Sequence, residues 1–237
     1  MHADFGFVEY LYKKYYYELI FIRKIQSERI IKSDFKPHFD DIEAELLYMM
    51  VREFNPSLSV EFSPYYGYST SWFLSALNRN NHGILRSYDI VDYAYPKIKG
   101  CGLLDRWELM IGDVAANYPV MDYSKIDFLF IDSDHSRGFA QRYIREFLTP
   151  FHEHAKTNSR IIPVMIHDIY SWETEEKPTE EGEEVLNFLN DINVNYFTAS
   201  CFYPDFKKVK LLRESLGIVD FVHNVEGNPS VLFFLGV

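Results

Sequence analysis

Apolar positions change their period along the chain, and the change divides it in two. Between residues 5 and 31 they fall at Val8, Leu11, Tyr12, Tyr15, Leu19, Ile22 and Ile25. Steps of three and four predict an amphipathic helix. Tyr16, Tyr17 and Phe21 add a second apolar side, more than one packing surface requires. A helix sandwiched within the monomer, a dimer contact and part of a lid all remain open for it. Residues 40–54 repeat the helical spacing with Ile42, Leu46, Leu47, Met50 and Phe54, and Asn55-Pro56 ends that helix.

Beyond residue 56, short apolar runs alternate with helical patterns. Strands are predicted at 58–62, 84–89, 107–111, 126–131, 160–166, 195–201 and 230–236, and helices at 69–78, 136–148, 180–189 and 205–216. Such alternation means a mainly parallel sheet covered on both faces. The fold class is therefore α/β: a Rossmann-like, doubly wound, seven-stranded sheet, its last strand antiparallel, with an N-terminal helical extension. Residues 1–55 form the extension and 56–237 the main domain. Residues 96–102 read as a loop, and 172–184 as an acidic, proline-containing loop within the fold pattern.

Composition narrows the classes. Apolar residues make up 47% and charged residues 25% of the 237, which describes a soluble globular chain with a large core. The formal net charge of −11 opposes binding to nucleic-acid phosphates, so no nucleic-acid partner is expected. Cys101 and Cys201 have neither disulfide-framework nor zinc-site spacing. No apolar run approaches a membrane span, and the acidic start of the chain is unlike a signal peptide, so a cytoplasmic location is expected. Aromatics reach 17%, which suits a core first and stacking on a ring-shaped substrate second.

The candidate chemistry lies at strand ends. Glu61 closes the first strand and is followed by a turn through Ser63, Tyr65 and Gly67 into a helix starting near Ser69 and Thr70. Asp89 closes the second strand, where an acid can accept bonds from two ribose hydroxyls. Gly112-Asp113 follows the third. The fourth runs into Asp132-Ser133-Asp134-His135, with Ser136 as a helix N-cap, and the fifth ends in His167-Asp168. Neighbouring parallel strands bring their C-terminal ends together, so Asp132, His167 and Asp168 can converge on one cation. Carboxylates with imidazole suit Mg²⁺, Mn²⁺ or Fe²⁺. His135 is the best general base by type and place. His152 and His154 follow Pro150 and read as solvent-facing. Neither a phosphate-binding Gly-rich loop with Lys-Ser/Thr nor a Gly-x-Ser-x-Gly elbow is present.

The Glu61–Gly67 stretch resembles the Glu-x-Gly-x-Gly-x-Gly motif of class I S-adenosylmethionine-dependent methyltransferases. Ser63 and Tyr65 occupy the first two glycine positions, and only Gly67 survives. The fourth and fifth strand ends resemble the Ile-Asp-Gly-Asp-His-Ser and His-Asp-Ile segments of the subfamily containing metal-dependent sugar O-methyltransferases. Ser133 replaces the customary glycine, and His167 stands where an acid is more usual. The resemblance covers residues 58–172 well and the last two strands loosely, and the N-terminal helices lie outside it. It implies S-adenosyl-L-methionine as cofactor, contacted by Glu61, Ser63, Gly67, Ser69, Thr70, Asp89, Asp113 and Asp132. It also implies Mg²⁺ or Mn²⁺ on Asp132, His167 and Asp168, catalysis by His135 and Asp132, and methyl transfer to a sugar or glycan hydroxyl. With two glycines replaced, the turn should shift outwards while Gly67 and the amides near Ser69 and Thr70 still face the methionine end. The alternatives are a phenolic small-molecule acceptor, an iron-dependent hydroxylase on a related scaffold, and a non-catalytic binding module. The expected partners are a small-molecule or glycan acceptor and, through the N-terminal helices, a second copy of the chain.

Overall fold

A computed structural model describes residues 2–35, 37–171, 177–223 and 230–236. The acidic segment 172–176 lies outside the described residues. Helix α1 (Phe5–Ser33) starts where the Asp4 carboxylate accepts the Phe7 amide at 2.9 Å. Helix α2 (Asp41–Phe54) begins with a capping box between Asp40 and Glu43. Then follow β1 (Leu58–Phe62), α3 (Tyr68–Asn80), β2 (Ile84–Asp89), α4 (Ala94–Gly100), β3 (Trp107–Ile111) and β4 (Phe128–Ile131). The chain continues through α5 (Arg137–Tyr143), α6 (Thr149–Thr157), β5 (Ile162–Ile166), α7 (Glu180–Asp191), β6 (Tyr196–Phe197), α8 (Pro204–Ser215) and β7 (Val231–Leu235).

The seven strands lie in the order β3-β2-β1-β4-β5-β7-β6, all parallel except β7. The chain winds outwards from β1 to β3, then returns to β4 on the other side of β1. That reversal opens a crevice at the carboxyl ends of β1 and β4, where ligands of doubly wound sheets bind. Alternation along each strand serves two cores. Phe128 and Phe130 pack with α1, α2, α3 and α8, whereas Leu129 and Ile131 pack with α5, α6 and α7. The N-terminal helices therefore share a core with the sheet. Among the described residues no helix is long and apolar enough to cross a membrane.

Several sequence expectations need correction. Residues 94–100 are helical, although 96–102 read as a loop. Pro96 falls in the first turn, where amides have no partner within the helix, so its missing N–H costs nothing there. The helix expected at 136–148 continues to Thr157 through a π turn at Ile144–Leu148. Proline inside an α-helix clashes with the carbonyl four residues back; the wider turn accommodates Pro150. Continuation carries His152 into the interior (2% exposed), where its Nδ1 accepts the Gly236 amide at 3.3 Å rather than facing solvent. Strand β6 spans two residues of the expected 195–201. The Thr198 hydroxyl donates to the Ser230 carbonyl (2.8 Å) and accepts the Ser200 amide (3.2 Å), replacing ladder bonds with a local turn. Helix α1 buries Val8, Leu11, Tyr12, Tyr15, Leu19 and Ile22, while Tyr17 and Phe21 stay 85% and 68% exposed.

Candidate active site

Glu61 is fully buried near the end of β1. Its carboxylate accepts the hydroxyls of Ser69 (2.9 Å), Thr70 (2.9 and 3.1 Å) and Ser87 (2.5 Å), and the Trp107 indole donates to Ser87 at 2.8 Å. Burial pushes Glu61 up to about 7, against the lowering effect of those hydroxyls. Glu61, Ser69 and Thr70 thus bond one another and tie β1, β2 and the start of α3 together. Between them the chain turns through Ser63 (φ 62°), Tyr65 (φ 43°) and Gly67 (φ 82°). Two side-chain-bearing residues hold left-handed backbone at the first two positions of the glycine motif, at a cost of about 1–2 kcal/mol per residue. A Cβ at Gly67 would come within 3.2 Å of Ala94 and Ile98. That glycine is therefore required by its φ and by the close approach of α4.

Asp89, at the end of β2, is 5% exposed, and its two oxygens accept the amides of Tyr65 (2.9 Å) and Val91 (3.1 Å). It lines a cavity of about 400 Å³ together with Ser63, Tyr65, Asp132, His135, His167 and Asp168, so one space joins the β1–α3 turn to the ends of β4 and β5. Glu61, Gly67, Ser69, Thr70 and Asp113 are not on its wall. Asp113 caps a short turn by accepting the Ala115 amide at 2.9 Å and lies 3.6 Å from Arg142. A larger groove of about 990 Å³ runs past Leu58, Ile84 and Asp127 at the opposite, amino ends of the strands. Its lining includes Glu108, Asp122 and Asp127 but no histidine, and it lies away from the ends where such folds bind ligands.

Residues 60–169 match a family model described as a methyltransferase domain. Over that stretch the chain is similar to methyltransferase domains. Solved structures agree on the fold. The O-methyltransferase TomG from Streptomyces achromogenes, involved in tomaymycin synthesis and in complex with SAM, is 14% identical, with a TM-score of 0.56 over 90% of this chain and 88% of that one. The O-methyltransferase from Bacillus cereus in complex with SAH is 14% identical, with a TM-score of 0.56 over 92% and 88%. The SAH-bound methyltransferase PaMTH1 from Podospora anserina is 12% identical, with a TM-score of 0.54 over 92% and 86%. No curated protein matches the sequence.

At the β4 and β5 ends the chain gathers acids and imidazoles. His135 Nε2 lies 3.3 Å from Asp168 and 3.8 Å from Asp132, while its Nδ1 lies 2.7 Å from Glu181. Donor atoms of Asp132, His135 and Asp168 all fall within 4.8 Å of one another. His167 Nδ1 lies 3.1 Å from Asp132 and 3.3 Å from Asp168. Its Nε2 is 3.2 Å from Glu43 but out of line for a hydrogen bond. Burial works to lower both histidines. Glu181, Asp132 and Asp168 outweigh it at His135, as Asp132, Glu43 and Asp168 do at His167, so both are raised. Asp132 is lowered because His167 and His135 overcome its burial; at Asp168 burial prevails and the carboxyl is raised.

Two side chains in contact with this cluster escaped the sequence reading. Glu181, from α7, is fully buried between His135 and the Tyr143 hydroxyl (2.7 Å). It holds the imidazole with its other nitrogen towards the carboxylates, as partners of metal-binding histidines do. Glu43, from α2, stands behind His167. Nothing near either residue in sequence resembles a site motif; only a charged residue at a position that becomes fully buried marks them.

Proposed function

We propose that the protein transfers a methyl group from S-adenosylmethionine to a hydroxyl oxygen, of a sugar or glycan, with a divalent cation held at the β4–β5 ends. The observation that carries this reading is the single cavity shared by Asp89, the β1–α3 turn and the Asp132–His135–Asp168 cluster. The residues present fit both groups. Asp89 is an acid at the ribose-binding strand end, with lone pairs left after its two amide bonds. Two carboxylates and an imidazole within 4.8 Å suit Mg²⁺ or Mn²⁺. The Ser133 hydroxyl, on the same wall, is buried with no hydrogen-bond partner among the described residues.

S-adenosylmethionine supplies an electrophilic methyl group, and a divalent cation acidifies and orients a hydroxyl. The chain's own residues do the rest. Asp89 holds the donor's ribose, and Ser63, Tyr65 and Gly67 shape the turn beside it. Asp132 and Asp168 would hold the cation with His135, which Glu181 orients, and His167 would support the two carboxylates from behind. His135 then serves either as the third ligand or as the base that takes the hydroxyl proton. Bringing the oxygen and the methyl group into line supplies much of the rate. A sugar acceptor is favoured by the resemblance in the β4 and β5 segments. The tyrosines at the mouth favour it too: Tyr65 and Tyr93 are about half exposed, and Tyr66 stacks on Tyr93 at 5.6 Å and 18°.

One observation favours a second reading, iron-dependent hydroxylation: two imidazoles rather than one abut the paired carboxylates. The outer side of α1, with Tyr17 and Phe21 exposed, is assigned to contact with a second copy, making the 1–55 extension an assembly surface. The deciding experiment is calorimetry with S-adenosylmethionine and S-adenosylhomocysteine, with and without Mg²⁺ or Mn²⁺. It is followed by labelled-methyl transfer to sugars, glycans and catechols. Transfer abolished by chelator and restored by Mg²⁺ or Mn²⁺ is expected. Full transfer in chelator defeats the cation, catechol-only transfer defeats the sugar acceptor, and absence of donor binding leaves the hydroxylase or a binding module.

A further inference from the structure

Helix α2 lies outside the matched domain, yet one of its side chains reaches the back of the cation cluster. Glu43 is fully buried in its first turn. One carboxylate oxygen accepts the Ser230 amide at 3.1 Å and also bonds the Ser230 hydroxyl. The other accepts the Asp40 amide at 3.2 Å and lies 3.2 Å from His167 Nε2. Glu43 is thus pinned from the start of α2 and from the residue before β7, and its free side faces an imidazole.

His167 is itself enclosed. It is 2% exposed, its ring meets the edge of Phe39 at 5.4 Å and 62°, and its Nδ1 addresses Asp132 and Asp168. Rotation of that ring would carry Nδ1 away from both carboxylates. A capping box needs only the bond to Asp40. Placing this fully buried carboxylate 3.2 Å from a histidine as well is more than capping requires.

The geometry points to Glu43 as a positioning residue. It fixes the ring of His167, which in turn holds Asp132 and Asp168 with their remaining oxygens towards the cavity. The inference rests on the cation reading above, and it ties the N-terminal extension to the chemistry through one charged contact.

The test compares Glu43→Gln, Glu43→Asp and Ser230→Ala in the full chain. Mn²⁺ affinity is measured by electron paramagnetic resonance, histidine ring signals by ¹⁵N NMR, and S-adenosylhomocysteine affinity by calorimetry. Glu43→Gln should weaken Mn²⁺ binding by about 10-fold or more and move the His167 signals, with donor affinity within about two-fold. Glu43→Asp should recover part of the loss. Ser230→Ala removes a structural bond of Glu43 without touching His167, so it should lower the melting temperature but leave Mn²⁺ affinity and the His167 signals in place. Equal Mn²⁺ affinity in wild type and Glu43→Gln overturns the inference, as does an equal loss in Ser230→Ala. If the wild type binds no Mn²⁺, the cation reading fails on its own and the NMR decides the contact. Unmoved His167 signals in Glu43→Gln overturn it, and movement confined to the Glu43 variants upholds it.

Discussion

Two acids sit at comparable places, near the carboxyl ends of adjacent parallel strands, and their surroundings give them opposite roles. Glu61 on β1 is met by three hydroxyls and, among the described residues, by no cationic partner, and burial raises it to about 7. Asp132, just past β4, is met by two imidazoles that hold it below its ordinary range, and its side chain is 27% exposed. The first carboxylate closes a knot inside the protein; the second is offered to the cavity as a charge. Position at a strand end selects an acid as a candidate, but its neighbours decide whether it organises the fold or faces a ligand.

The comparison breaks most sharply at Asp132. Asp132→Asn should cut methyl transfer by about 10²–10⁴-fold, the several kcal/mol that a cation's effect on the acceptor represents, while S-adenosylhomocysteine affinity stays nearly intact. Comparable losses of both would place Asp132 with the donor instead.

Next comes the pH dependence of Glu61. Its folded pKa of about 7 lies above the ordinary 4.5, so the folded state holds the proton more tightly than the unfolded chain. This contribution is fully present below pH 4.5 and is lost as pH rises to about 7, a decline of about 3 kcal/mol. Urea unfolding of Glu61→Gln between pH 5 and 8 should show a flatter profile than wild type. Parallel profiles would mean that Glu61 is ionised in the fold at little cost.

Asp89 sharpens the comparison from the donor side. Asp89→Ala should weaken S-adenosylhomocysteine binding by about 1.5–3 kcal/mol, the loss of hydrogen bonds to a charged group. Unchanged affinity in calorimetry removes Asp89 from the site. The smallest effect belongs to the turn. Ser63→Gly relieves left-handed backbone but frees the unfolded chain, so stability should shift by no more than about 1 kcal/mol. Ser63→Val should destabilise more, because a branched side chain tolerates φ near 62° poorly. Equal melting temperatures for the two variants would show that the turn relaxes out of that conformation.

Much of this was legible in the chain. Strands β1 to β3 occupy the residues where apolar runs placed them, because each run is bounded by polar or turn residues and is long enough for one strand only. The order of acids along successive strands carried the resemblance, and residues 60–169 match a methyltransferase-domain model. Less legible was anything requiring two distant segments to meet. Pro150 reads as a helix end, yet a π turn lets the helix pass and buries His152. Ser69 and Thr70 read as a helix start, and only the tertiary structure shows that their hydroxyls bond Glu61.

The sequence by itself determined the class of fold and which strand ends carry acids, since both follow from the local period of apolar residues and from what ends each run. Tertiary structure alone decided which acids share a space, which are satisfied internally, and that Glu43 and Glu181 stand behind the two histidines. The reason is physical: a charge's role depends on distance and burial. The contacts that place Glu181 and Glu43 join residues 46 (His135–Glu181) and 187 (Glu43–Ser230) positions apart, beyond the reach of any local pattern.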